Sequence, residues 1–211
     1  MFNHNSSRAK SVLLDQSLVS SEQIRMIRMN VENTLKNEPV ILLVTSPSSN
    51  DGEAMVASKL AIAFTEQEKK VLLVDANLSE PAVHALFNLE NTSGLADAAY
   101  YGRRGETGIM RTFIENLSIL PAGSVQGNFS GVIISSRFKE LVKKWTSEYD
   151  VVLIDAPGFL EKSDAQLAAE CSDGVVLVVK ANKTKKRNLY KTTNFLDRAK
   201  KRVVGVIYQT G

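Results

Sequence analysis

A single cysteine, Cys171, in 211 residues excludes a disulfide framework and a cysteine-rich zinc module. Two histidines, His4 and His84, are too few for a histidine-built metal centre. Long apolar runs are missing too. The longest, Val40–Val44 and Val175–Val179, fall far short of the ~20 residues a helix needs to cross a bilayer. The first fifteen residues are polar without an apolar core and do not read as a signal peptide. Residues 40–211 hold no repeat, low-complexity stretch or linker. What is present is ordinary: 44% hydrophobic and 23% charged residues, the composition of a globular chain long enough for one sizeable domain. The expectation is a soluble, cytoplasmic, single-domain protein.

Charge is unevenly spread behind a net +3. Residues 180–202 hold ten lysines and arginines against one acid, Asp197, while the remainder carries 16 bases against 22 acids. A block of +9 can face nucleic acid, an anionic membrane or an acidic partner. No aromatic platform is read between the charges, so nucleic acid is not expected and a solvated helix face is the ordinary reading.

Continuous apolar runs mark buried strands at Val40–Thr45, Val71–Asp75, Val151–Asp155, Val175–Lys180 and Val203–Tyr208, with a shorter candidate at Leu117–Leu120. Helical patterns lie between them: Met55–Phe64, Ser135–Ser147, Ser163–Cys171 and Lys186–Lys200. Alternation of this kind specifies an α/β doubly wound, mostly parallel sheet flanked by helices. Residues 1–19 lack periodicity and read as a flexible N-terminal arm. Residues 20–37 read as a helix capped by Ser21, with Ile24, Ile27, Val31 and Leu35 on one face. Glu22, Arg25 and Arg28 form a second line, which on spacing alone is an ordinary charged surface.

Ligands of open α/β sheets bind beyond the carboxyl ends of the strands. The first strand there enters a loop from Thr45 to Ala54 and then a helix, the layout of a phosphate-binding loop. The second ends in Asp75 and the third in Asp155. One strand-end aspartate often only caps the next helix; two beside such a loop point to a nucleotide and metal site.

Several landmarks come in a specific order: Glu22-x-x-Arg25-x-x-Arg28, Val44–Pro47, Val71 through Asp75 and Ala76 with Pro81 after it, Leu120–Gly123, Arg137–Leu141, Tyr149-Asp150, Ile154–Pro157 and Ser163–Ala165. Over about residues 20–211 this order resembles the bacterial tyrosine kinases of the capsular and exopolysaccharide type, the BY-kinase family, P-loop proteins related to the MinD/ParA ATPases. The resemblance implies a P-loop NTPase-like fold with ATP and Mg²⁺ as cofactors. It carries the nucleotide loop onto Ser49, Asn50, Asp51, Gly52, Glu53, Ala54 and Met55. Residual catalytic and metal roles fall on Asp75 and Asp155. Residues 20–37 become an oligomerisation helix whose interface is Glu22, Arg25 and Arg28. It also implies a membrane adaptor of the polysaccharide co-polymerase type, recruitment to the inner face of the cell membrane, and a ring formed with itself or with an active paralogue.

The departures are as specific as the matches. The family's loop ends Gly-x-Gly-Lys-Ser/Thr, and here those positions are Asn50, Asp51, Gly52, Glu53 and Ala54. The family's Asp-x-Asp-x-Arg is here Asp75, Asn77 and Ser79, and the asparagine ending its last strand is Gln209. A lysine–phosphate hydrogen bond contributes roughly 1.5–3 kcal/mol. A carboxylate about 4 Å from a phosphate charge instead costs on the order of 4 kcal/mol at an effective dielectric near 20. Both terms weigh against ATP, although Lys59 or Lys183 could rebuild the positive charge. Three functions therefore stand: a pseudokinase that regulates capsular or exopolysaccharide synthesis by binding proteins, an active tyrosine kinase with a rebuilt phosphate site, and a MinD/ParA-like ATPase. Outside the site, Tyr100 and Tyr101 read as packing residues, Trp145 as partly buried, and Cys171 as buried and inert.

Overall fold

A computed structural model describes residues 20–35, 39–48, 51–101, 108–123 and 131–210. The expected N-terminal arm, residues 1–19, lies outside them. Helix α1 (Ser21–Thr34) precedes strand β1 (Val40–Thr45), helix α2 (Glu53–Thr65) and strand β2 (Val71–Asp75). Two short helices follow, α3 (Val83–Leu86) and α4 (Leu95–Tyr101), then β3 (Met110–Arg111), β4 (Leu117–Leu120) and α5 (Ser136–Glu148). The chain continues through β5 (Val151–Asp155), α6 (Ser163–Glu170), β6 (Gly174–Lys180), α7 (Lys186–Arg198) and β7 (Val203–Gln209). The strands make one sheet in the order β3-β4-β2-β5-β1-β6-β7, parallel except for β3.

The apolar runs are continuous because both faces of the sheet are covered. Leu42, Val44, Leu73 and Leu153 face one core with α1 and α2, while Leu43, Val74 and Ile154 face the other with α5, α6 and α7. Helix α2 is apolar nearly all round because it lies between the sheet and α1, and Val56, Ala57, Leu60 and Ala61 are fully buried. Each large aliphatic side chain buried this way contributes about 1.5–3 kcal/mol. Helix α1 buries Ile24, Ile27 and Val31. Gly205 on β7 admits it closely, since a Cβ there would lie 2.6 Å from Ile27. The Gln23 amide accepts from Tyr208 N–H (3.2 Å) and donates to Tyr208 C=O (3.4 Å), so α1 also satisfies part of this edge strand.

Several boundaries differ from the sequence reading. Ser20, not Ser21, occupies the cap position of α1, without a side-chain cap bond, and the described helix ends at Thr34. Helix α2 starts two residues earlier than its apolar pattern, which places Glu53 in its first turn. Trp145 is fully in the core, edge-on to Phe138 with ring centroids 6.0 Å apart. Tyr100 is 59% exposed and so is not a packing residue, while the Tyr101 side chain lies outside the described set. Cys171 is half-buried rather than buried, and that burial raises its thiol pKa, which disfavours the reactive thiolate.

Candidate functional site at the carboxyl ends of three strands

The strand order carries the site. β5 lies between β1 and β2, so its carboxyl end is flanked by the loop after β1 and by the end of β2. Asp155 stands opposite Val44 on one side and opposite Asp75 on the other. Asp75 is wholly buried, and its oxygens accept from the backbone N–H groups of Asn77 (3.2 Å), Ala82 (3.1 Å) and Val83 (3.1 Å). Desolvation nevertheless pushes its pKa up to about 6. Asp155 is equally buried, and among the described residues its Oδ1 has no hydrogen-bond partner. Burial first, then the charges of Asp75 and Glu53, raises its pKa well above the ordinary carboxylate value.

The loop closes around a third carboxylate. Gly52 has φ +89°, a left-handed conformation, and a Cβ there would meet the Gln209 amide at 2.9 Å. The glycine is thus favoured by its conformation, while the Gln209 amide end lies close against it. It turns the chain so that Glu53 opens α2 with its side chain inward, 7% exposed. The Ser46 hydroxyl lies against both the Glu53 carboxylate and the Ser48 carbonyl. Backbone hydrogen bonds at Glu53 and Gly52 also favour the ionised form. Burial outweighs them and, with the nearby charge of Asp51, raises the Glu53 pKa. A carboxylate in a helix's first turn is favoured by the helix dipole, typically by about 0.3–1 kcal/mol. The Gly52 and Glu53 amides at the start of α2 are therefore engaged by an anion belonging to the chain itself.

A clamp from the far side of the sheet holds the loop. Asp51, 1% exposed, accepts from the Thr184 hydroxyl and lies 3.5 Å from Lys183 Nζ. Thr184 in turn accepts from Lys180 N–H (2.9 Å), and Asn188 in α7 donates to Ser48 Oγ (2.9 Å). Lys183, one candidate for replacing the loop lysine, is thus paired with Asp51. Lys59, the other, is buried within α2. Thr45 Oγ1 donates to Pro157 C=O (2.7 Å), tying the loop's entrance to the segment after β5.

Of the residues singled out in the sequence, Asp51, Gly52, Glu53, Asp75 and Asp155 converge here. Ala54 and Met55 sit half-buried in the first turn of α2, and Ser49 and Asn50 lie outside the described residues. Glu22, Arg25 and Arg28 lie elsewhere, on α1. Glu22 and Arg25 are exposed, whereas Arg28 donates to Glu32 at 2.7 Å and its side chain is 14% exposed. Beside them Met26 and Met29 are more than half exposed, an apolar component that the charge pattern did not reveal. Sequence reasoning also missed Ser46, Thr184, Asn188 and the Gln209–Gly52 contact. No local spacing points to them, because the clamp joins residues 133 and 140 positions apart.

A family model described as "Cellulose biosynthesis protein BcsQ" matches residues 42–197. Tyrosine-protein kinase YwqD of Bacillus subtilis (strain 168) is 34% identical over 190 residues, covering 90% of this chain and 80% of that protein. Among solved structures, the chimerical protein CapA2B2 superposes with a TM-score of 0.85 at 28% identity, covering 95% of this chain and 89% of that one. The septum site-determining protein MinD of Pyrococcus horikoshii OT3, complexed with Mg-ADP, superposes with a TM-score of 0.67 at 26% identity, covering 79% of this chain and 68% of that one.

Proposed function

The chain belongs to the bacterial tyrosine-protein kinase family, and from that premise we propose that it is a pseudokinase, a member that has lost phosphoryl transfer and acts by binding other proteins. The observation that carries this reading is the inward carboxylate of Glu53, at the position where the family has its phosphate-binding lysine. Its support is electrostatic. Asp51, Glu53, Asp75 and Asp155 are all buried at the mouth of the loop, and the pKa values of the last three are all raised. A nucleotide triphosphate would add negative charge to a site already short of positive charge. Ala54 offers no hydroxyl to a magnesium ion, and the Asp75 oxygens are committed to backbone amides. The residues present therefore do not fit Mg·ATP.

The partners follow from the family. A membrane adaptor of the polysaccharide co-polymerase type would recruit the protein to the inner face of the membrane. The exposed Glu22, Arg25, Met26 and Met29 of α1 would join copies of this chain or an active paralogue, with carboxylate–guanidinium pairs setting the register. The setting is capsular or exopolysaccharide synthesis and export. Residues 20–211 act in this reading as one kinase-like domain.

Isothermal calorimetry with ATP, with and without Mg²⁺, tests the central claim, together with mass spectrometry for phosphotyrosine after incubation with Mg·ATP. No binding heat and no phosphotyrosine are expected. Phosphotyrosine formed in the absence of a copurifying kinase would restore the active-kinase reading.

A further inference from the structure

We propose that the outer face of α7, with the loops at its two ends, is a docking surface for an anionic phospholipid bilayer. Helix α7 turns Thr192 and Leu196 inward. Arg187, Lys191 and Arg198, spaced four and seven residues apart, share the opposite face and are all exposed. The stripe is about 16 Å long at ~1.5 Å per residue. Exposed Lys185 and Lys186 extend it at one end, and Lys200 and Arg202 at the other. Among the described residues none of these seven cations pairs with a carboxylate. Lys201 differs, since its ammonium donates to the Glu170 and Ser172 carbonyls.

Aromatic surface accompanies the charge, contrary to the sequence reading of the block as lacking it. Tyr190, 68% exposed, stands beside Lys191, and Phe195 is 42% exposed while its edge packs on Phe159. Gly205 and Ile207 face α1, so Val206 and Tyr208 on β7 face the α7 side of the sheet, each 51% exposed. Cations interspersed with amphipathic aromatics suit the headgroup boundary of a bilayer. The charge separation adds direction: a +9 segment on a remainder of 16 bases and 22 acids gives a dipole that turns this face toward a negative surface. A laterally extended array of anions also matches the spread of the seven cations better than a single phosphate. Each lysine or arginine close to such a surface strengthens binding roughly fivefold. Docking of α7 on lipid uses no nucleotide and is therefore independent of whether the loop binds ATP.

Co-sedimentation of the full chain with vesicles of phosphatidylcholine, with and without about 30% phosphatidylglycerol, tests it. Binding is expected only to the anionic vesicles, and high salt should abolish it. Arg187→Glu with Lys191→Glu and Arg198→Glu should lower the partition coefficient about hundredfold or more, while Tyr190→Ala should lower it a few-fold. Neutral Arg187→Gln, Lys191→Gln and Arg198→Gln replacements provide a second comparison, with circular dichroism confirming the fold of each variant. Absence of wild-type binding, or equal binding by the wild type and the triple variants, overturns the proposal. So does a preference for a single-stranded oligonucleotide over anionic vesicles at equal phosphate concentration, which would assign the face to nucleic acid.

Discussion

Asp75 and Asp155 end neighbouring strands, stand opposite each other in register and are equally buried. Yet Asp75 accepts three backbone hydrogen bonds, while among the described residues Asp155 Oδ1 accepts none. The fold alone accounts for Asp75: its carboxylate organises the turn between β2 and α3. Among the described residues no hydrogen bond requires an acid at position 155, whose burial carries a cost that a non-ionisable isostere would avoid. The pair thus separates an aspartate that orders a turn from one whose buried carboxylate the turn does not use.

The largest expected effect tests the architectural half of this contrast. Asp75→Ala leaves the N–H groups of Asn77, Ala82 and Val83 without their acceptor, at about 1–3 kcal/mol for each one that stays buried. A loss of about 3 kcal/mol or more in urea unfolding is expected. A loss below about 1 kcal/mol would mean that those amides find water or new partners, and the contrast with Asp155 would fail.

Asp155→Asn should act in the opposite direction. A carboxyl whose folded pKa is raised above its unfolded value contributes stability that is fully present below the unfolded pKa and is lost as pH rises through the folded one. Asp155 is raised well above 3.8, and Asp75 is raised to about 6. Wild-type stability attributable to this pair should therefore fall from about pH 4 upward through pH 6 and beyond. Replacing Asp155 by Asn removes its own share of the fall and relieves Asp75. The variant should be more stable by about 1–3 kcal/mol near pH 7.5, with the difference vanishing near pH 4. Burial lowers the His84 pKa, an effect of opposite sign that is common to both proteins and cancels in the comparison. Thermal unfolding across this range checks the slope, and a pH-independent difference would show that folding does not shift the Asp155 pKa.

How much of this could be read beforehand depended on the range of the interactions. The strands of the central sheet were legible to within a residue or so because apolar runs such as Val40–Val44 record two-sided burial directly. Strand β3, two residues long, and the short α3 carry too little pattern to register. Loop-to-helix geometry was legible as a motif but not in its detail. The start of α2 at Glu53 depends on the left-handed Gly52 and on Gln209 packed above it, and that contact joins opposite ends of the chain. The two strand-end aspartates were visible, but their difference was not, because it depends on where the chain after Asn77 folds back to offer its amides.

A reversal of the loop sharpens the other side of the comparison, the proposed loss of the nucleotide site beside Asp155. Glu53→Lys with Ala54→Ser and Asn50→Gly replaces the internal anion with a cation, restores a metal-binding hydroxyl and frees the backbone at position 50. A gain of about tenfold in Mg·ATP affinity is expected, equivalent to about 1.4 kcal/mol. It should be visible as a ligand-dependent rise in the unfolding temperature. Adding Asn77→Asp should act mainly on phosphoryl transfer. No shift at millimolar Mg·ATP in a folded triple variant, with an active family member responding, would locate the loss beyond these positions.

The smallest effect belongs to the clamp. Asn188→Ala removes one neutral hydrogen bond to Ser48 Oγ, for which about 0.5–1.5 kcal/mol is typical. Thr184→Val removes the donor to Asp51 and the acceptor for Lys180 N–H while conserving shape. Its cost should be somewhat greater, because Asp51 is almost wholly buried and, among the described residues, would retain the Lys183 charge at 3.5 Å alone. Residues this close share one loop, so the two losses should not add. A double-mutant cycle on unfolding free energy should give a coupling of at least about 0.5 kcal/mol. Hydrogen exchange should localise the change to the first turn of α2, leaving the β5 amides protected, because the clamp orders the loop and not the sheet. Strict additivity, or faster exchange spread evenly over β1, β5 and β6, would instead show that Thr184 and Asn188 support the sheet itself, and that the loop keeps its shape through Gly52 and Ser46 alone.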